Sequence, residues 1–159
     1  MRLIKLIACT MMMLMATGGV GAKNKKKTEP FSYEIMGAGS GTEGTCLVKV
    51  YVYGNTSDAS IKKAAVHGVV FRGFSGTSSG VSQPAMAPIS AEETNSEFFN
   101  SFIDENGECQ NFASIVPGSY ERITTAKGRK VGAVVQVQRT ALRHRLETQG
   151  VIRTLSSGF

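Results

Sequence analysis

The chain has no tryptophan, and only four prolines and three cysteines are spread over its 159 residues. Three cysteines without CxxC spacing exclude both a disulfide-dense scaffold and a four-cysteine zinc knot. Histidine is equally scarce: His67 and His144 stand far apart, with no HxxxH spacing and no run of carboxylates to complete a ligand set. A structural zinc site takes four ligands and a catalytic one three, and His144 is flanked by arginines that disfavour a cation, so both histidines read as incidental and no metal is expected. The sequence also lacks a G-x-S-x-G elbow and a Gly-Lys-Ser/Thr phosphate loop. Its adjacent acids, Glu92-Glu93 and Asp104-Glu105, read as helix-end or loop charges. The expectation is a protein that is not an enzyme and holds no cofactor.

Residues 1–22 supply what the rest of the chain withholds: a continuous apolar run. Arg2 and Lys5 precede apolar residues from Leu6 to Ala16, and the segment closes on Val20-Gly21-Ala22. A cationic start, an apolar stretch too short to span a bilayer and small residues at the end form a secretory signal peptide, cleaved after Ala22, with an uncleaved anchor as the alternative. Leu6-Ile7-Ala8-Cys9 has the form of a lipobox, but too little apolar sequence precedes Cys9 for lipidation there to be expected. Residues 23–29 then form a basic leader containing Lys23 and Lys25–Lys27, and 30–159 is one domain. Export to the periplasm or cell envelope puts Cys46 and Cys109 in an oxidising compartment, where they permit one disulfide closing about 60 residues. The alternative is two separate buried thiols.

Within 30–159 the apolar pattern changes period. Phe31, Tyr33 and Ile35 alternate with Ser32, Glu34 and Met36. Cys46, Val48, Val50 and Val52 alternate with Leu47, Lys49, Tyr51 and Tyr53, so two half-buried strands flank the glycine-rich turn 37–44. That turn precedes a strand rather than a helix, which excludes a phosphate cradle. Ser57 or Asp58 caps a helix carrying Ile61, Ala64, Ala65, Gly68 and Val69 on one face, ending near Phe71–Phe74, with Ala65 and Gly68 small enough to approach a sheet. A Gly-, Ser- and Pro-rich loop occupies about 75–90, long enough to be functional. A shorter helix follows at 91–103, burying Phe98, Phe99, Phe102 and Ile103. Residues 112–116 form a short strand or a packed irregular segment, and 120–126 and 130–138 make a second hairpin around Lys127-Gly128-Arg129. Thr140 caps a last helix with Leu142 and Leu146 inward and Gly150 as its stop. The fold class is α+β: a mainly antiparallel sheet of about four strands, in two hairpins, with two to three helices on one face. Strand order is open, including a parallel middle pair.

Net charge needs the same dissection. The chain is formally +6, but Arg2, Lys5 and the four leader lysines account for all of it, and 28–159 holds 12 residues of each sign. What remains is segregation. Residues 81–120 contain six acids and no Lys or Arg, whereas 121–159 contain eight bases and two acids. Such polarity suits steering toward a partner or pairing within the molecule. Nucleic acid is excluded as a partner by export and by the lack of aromatics interleaved with the bases.

The stretches Gly44–Tyr53, Lys63–Phe74 and Lys130–Val137, with Ala141-Leu142, Leu146-Glu147, Gly150-Val151-Ile152 and Leu155–Phe159, resemble a family of small uncharacterised exported proteins of Bacteroidetes. More distantly, the order of elements is similar to α+β modules of envelope lipoproteins and of the flagellar assembly protein T amino-terminal domain. The resemblance implies an envelope protein and supplies no catalytic residues. The expected function is non-catalytic protein–protein interaction with an envelope partner, through the 75–90 loop and the charged surfaces. Two other readings stand beside it: a small-ligand module or hydrolase with a pocket under that loop, and a homo-oligomer joined through an edge strand.

Overall fold

The computed structural model describes residues 31–54, 56–76, 81–126 and 128–154, so the segments expected to be a signal peptide and a basic leader lie outside the described residues. Strands β1 (Tyr33–Ser40) and β2 (Cys46–Tyr53) are followed by helix α1 (Asp58–His67). Then come α2 (Ser90–Thr94), α3 (Ser96–Phe102), strands β3 (Ala113–Ile115), β4 (Glu121–Thr125) and β5 (Gly128–Val137), and helix α4 (Arg139–Thr148). The sheet runs β1-β2-β5, with β3 and β4 end to end along the outer side of β5, and every pair is antiparallel. The α+β class holds, and the parallel middle pair left open by the sequence does not occur.

Alternation in β2 and β5 sorts their side chains. Val48, Val50 and Val52 of β2 and Ala133, Val135 and Val137 of β5 are fully buried on one face. α1 lies against that face. Ser57 caps it by accepting the Ser60 N–H at 3.1 Å, satisfying a donor the first turn leaves free. Its start is tied beside β3 and β4, where Gln110 Nε2 donates to Ala59 O (3.1 Å) and the Tyr120 hydroxyl to Asp58 (2.7 Å). Its far end reaches β1: a Cβ on Gly68 would stand 2.5 Å from Ile35 Cδ1, so the close approach expected of Gly68 is used there. The helix then widens into a π turn, Gly68–Arg72, and the added residue per turn lets Val69, Val70 and Phe71 all be buried in succession.

Two local patterns differ from the sequence expectation. β1 continues through the glycines to Ser40, with a bulge between Gly37 and Gly39, so the turn shortens to the few residues before Cys46. The helix expected at 91–103 is two helices broken at Asn95, which leaves helical geometry (φ −113°, ψ 35°) and whose side-chain amide and backbone N–H both donate to Ala91 O (3.0 Å each). The segments expected at 112–116 and 120–126 are both strands, β3 and β4, kept apart because Pro117 has no N–H and Gly118 takes φ 74°. Ser119 patches that gap: Val134 N–H donates to Ser119 Oγ (3.0 Å), and the same hydroxyl donates to Val116 O (2.6 Å). α3 packs by an aromatic stripe, with Phe99 4.9 Å from Phe71 and Phe98 stacked 4.9 Å from Phe102. α4 turns Leu142 and Leu146 inward as expected.

The other sheet face is stitched by polar side chains. The Tyr51 ring lies over Gly132, its hydroxyl donates to Glu121 (2.7 Å), and Lys130 Nζ stands 4.5 Å from the ring centroid. Lys49 donates to the other Glu121 oxygen (2.7 Å), and Glu34 accepts from both Lys130 (2.7 Å) and the Tyr53 hydroxyl. A Cβ at Gly132 would lie 2.4 Å from Tyr51 Cδ1, so Tyr51 is only 6% exposed because that position is glycine. Gly132→Ala is expected to cost about 1–3 kcal/mol by displacing the ring. In urea denaturation, adding Tyr51→Ala should recover part of that cost; strictly additive losses would refute the contact.

Candidate functional site

The concavity best placed to receive a partner lies where β5 hands over to α4. α4 starts immediately after β5 and is held to the β1–β2 turn by Thr140 N–H donating to Gly44 O (3.0 Å). Between the helix and the end of the polar-stitched sheet face is a groove of about 850 Å³. Phe112 supplies an apolar wall, and Thr45, Ser114, Gln136, Gln138 and Thr140 line it with neutral hydrogen-bonding groups. Ala141, His144 and Arg145 form the helix side, and Glu43 is at the turn. Arg145 is already engaged: it makes a two-pronged pair with Glu108 (2.8 and 2.9 Å) and lies over the Phe98 ring. That hydrogen bonding holds the Glu108 carboxyl below its usual range. Among the described residues no hydroxyl or carboxylate is bonded to the His144 ring, so the groove contains no assembled nucleophile and base.

The loop singled out by composition has a smaller hollow. Phe74 and Gln83 exchange backbone hydrogen bonds, both 2.9 Å, and the space beside them, bounded by Gly39, Cys46 and Val81, is about 160 Å³. Ligand pockets commonly measure about 300–1,000 Å³. Cys46 borders this hollow, whereas Cys109 lies near α1 with its thiol toward Asp104 O (3.4 Å). Both are free buried thiols, so the structure has the second of the two arrangements the sequence allowed, in place of a disulfide. Burial pushes each thiol up to about 11, which leaves it protonated and poorly nucleophilic.

His67 is better placed than its sequence context suggests. Its Nε2 is 3.2 Å from Glu92 Oε1, and its Nδ1 is 2.6 Å from the Tyr33 hydroxyl. A carboxylate only accepts, so Nε2 carries the proton, and in the neutral ring Nδ1 accepts from Tyr33. Arg72 completes the cluster by donating to Tyr33 O (3.2 Å) with its guanidinium 4.2 Å from the Tyr33 ring centroid. The order carboxylate, imidazole, hydroxyl is that of a hydrolase triad, but Tyr33 is 5% exposed and burial raises its phenol far above the ordinary value. Buried in this way, the relay ties β1, α1 and α2 together. The sequence offered no signal for it, because 34 and 25 residues separate His67 from its partners.

The charge segregation resolves into pairs and a remainder. Glu92 and Glu108 from the acidic stretch meet His67 and Arg145, Glu105 accepts from Ser60 (2.8 Å), and Arg143 pairs with Glu147 (2.9 Å). Among the described residues the side chains of Arg122 and Arg129, both exposed on the β4–β5 hairpin, have no hydrogen-bond or ion-pair partner, nor do those of Arg139, whose Nε is buried, and Arg153. Among the described residues no three His, Cys, Asp or Glu side chains cluster as a metal site, and no helix is long and apolar enough to cross a membrane. No family model, curated protein or solved structure matches the chain.

Two measurements follow. Burial first, then Arg72 and Lys63, hold His67 below its ordinary value, against the pull of Glu92. As pH falls below about 6.5, the unfolded chain therefore takes up this proton before the folded one, and stability declines until the folded imidazole titrates. His67→Gln keeps an acceptor for Tyr33 and a donor for Glu92 without titrating. It should flatten the urea-unfolding free energy below pH 6.5; an unchanged slope would dismiss His67 as the source. Thiol titration without reductant should find Cys46 and Cys109 unreactive in the folded domain and both reactive in guanidinium, whereas their absence after unfolding would mean they are bridged.

Proposed function

We propose that the chain is an exported, envelope-associated protein that acts without catalysis, by contact with another protein through the groove beside α4. The observation that carries this reading is the groove's chemistry. An aromatic wall and a row of amide and hydroxyl groups suit the backbone and uncharged side chains of a protein segment, while the groove's charged helix residue is neutralised by Glu108. The signal-like residues 1–22 and the resemblance to exported proteins support the periplasm or envelope as the compartment. A ligand module or hydrolase under the 75–90 loop is less well supported, because the hollow there is about 160 Å³.

The test is a photo-crosslinking amino acid placed at Ala141 in the groove, or at Lys62 on α1, in cells that produce the chain. A discrete adduct from position 141, absent from position 62, is the expected result. Equal labelling from both positions, or none from 141, would remove the groove as the contact.

A further inference from the structure

The two edges of the sheet are finished differently. In an antiparallel ladder the backbone groups of successive residues point to alternate sides. Val116 N–H reaches Val134 O (2.9 Å) and Gln138 N–H reaches Phe112 O (2.8 Å), so the even-numbered residues of β5 bond toward β3 and β4. The register Glu121↔Gly132 and Ile123↔Lys130 then makes Glu121, Ile123 and Thr125 the β4 residues bonded to β5. The N–H and C=O groups of Arg122 and Thr124 point out of the sheet, and among the described residues β4 pairs with β5 alone. At the opposite edge, Arg72 donates to Tyr33 O (3.2 Å) and Gly37 N–H to Ser75 O (2.9 Å), so β1 is closed off by its own chain.

Charge on the open edge has one sign on one face. Arg122 is opposite Val131 and Thr124 opposite Arg129, which puts both arginines on the same face of the hairpin. Glu121 is on the other face, held by Lys49 and Tyr51 (both 2.7 Å). Pairing of two copies through β4 would gather Arg122 and Arg129 of both chains on one face, and like charges across a ladder are destabilising. A second copy is therefore the wrong occupant.

We infer that β4 is an acceptor edge for an extended acidic segment of a partner protein. That segment continues the sheet through backbone bonds to Arg122 and Thr124 and sets a carboxylate beside Arg122 and Arg129. The inference rests on reading the chain as a protein-binding module, but it uses a different surface from the groove.

The test uses defined probes: a short labelled peptide alternating glutamate with valine, its lysine counterpart, polyglutamate, and phosphatidylglycerol vesicles. The glutamate–valine peptide should bind saturably at low salt and slow hydrogen exchange at the Arg122 and Thr124 amides. Arg122→Glu with Arg129→Glu should weaken it about tenfold or more and transfer preference to the lysine peptide. Thr124→Pro, which removes an outward donor, should weaken binding while leaving the Ala141 adduct intact. No saturable binding of the glutamate–valine peptide would overturn the inference. So would equal binding of polyglutamate without amide protection, or binding of vesicles but not peptide. Loss of the Ala141 adduct alone, with peptide binding retained, would count against the groove and not against the edge.

Discussion

β5 is bonded along both of its sides, and every other element takes its position from that strand. Residues 130–137 align with β2 in an unbroken register from Cys46↔Val137 to Tyr53↔Lys130, with the backbone groups of the odd-numbered residues turned to β2 and those of the even-numbered residues to β3 and β4. The same alternation decides what each side of the sheet contains. Val135 and Val137 are fully buried against the helix side, whereas Lys130, Gly132, Val134 and Gln136 look to the opposite face. A slip of one residue would exchange these sets and place Lys130 in the core, so the register is fixed by the cost of burying charge as much as by hydrogen bonds.

Compatibility with water on the face without α1 is obtained by side chains rather than by a second layer. Tyr51 covers the backbone at Gly132, and the lysine stems cover Tyr51 in turn. The ammonium groups reach the carboxylates of Glu34 and Glu121. Exposed pairs of this kind add little stability individually. Their effect is to exclude water from the aromatic ring and leave no large apolar patch on this part of the sheet. The groove beside α4 begins where this lattice ends, at Gln136.

Local order was largely legible in the sequence, because period-two alternation in Cys46–Tyr53 and Val131–Val137 and the Leu142/Leu146 spacing report directly on burial. Gly68 was legible for the same reason: a small residue on an apolar helix face announces close approach. The tie between Tyr33, His67 and Glu92 was not, since three ordinary polar residues on separate elements carry no shared periodicity. Nor was the groove, whose lining comes from the β1–β2 turn, β3, β5 and α4 and exists only once the sheet has closed. Charge segregation was visible as a count, but which charges cancel depended on the fold: Glu108 and Arg145 are 37 residues apart, whereas Arg122 and Arg129 come together unpaired on the β4–β5 hairpin.

The place of β5 also sets the order of events during folding. The first hairpin and α1 are complete in sequence by His67, yet the inner edge of β2 and its valine face have no strand to meet until residues 128–137 are available. Closure is therefore a long-range event that comes late in the chain, and such topologies fold slowly. Until then the amino-terminal half presents an unpaired apolar strand, the kind of surface that chaperones bind and that aggregates when left unguarded. A polypeptide arranged in this way stays threadable for as long as its carboxyl-terminal third is withheld, and becomes a rigid body only after the whole domain has been delivered.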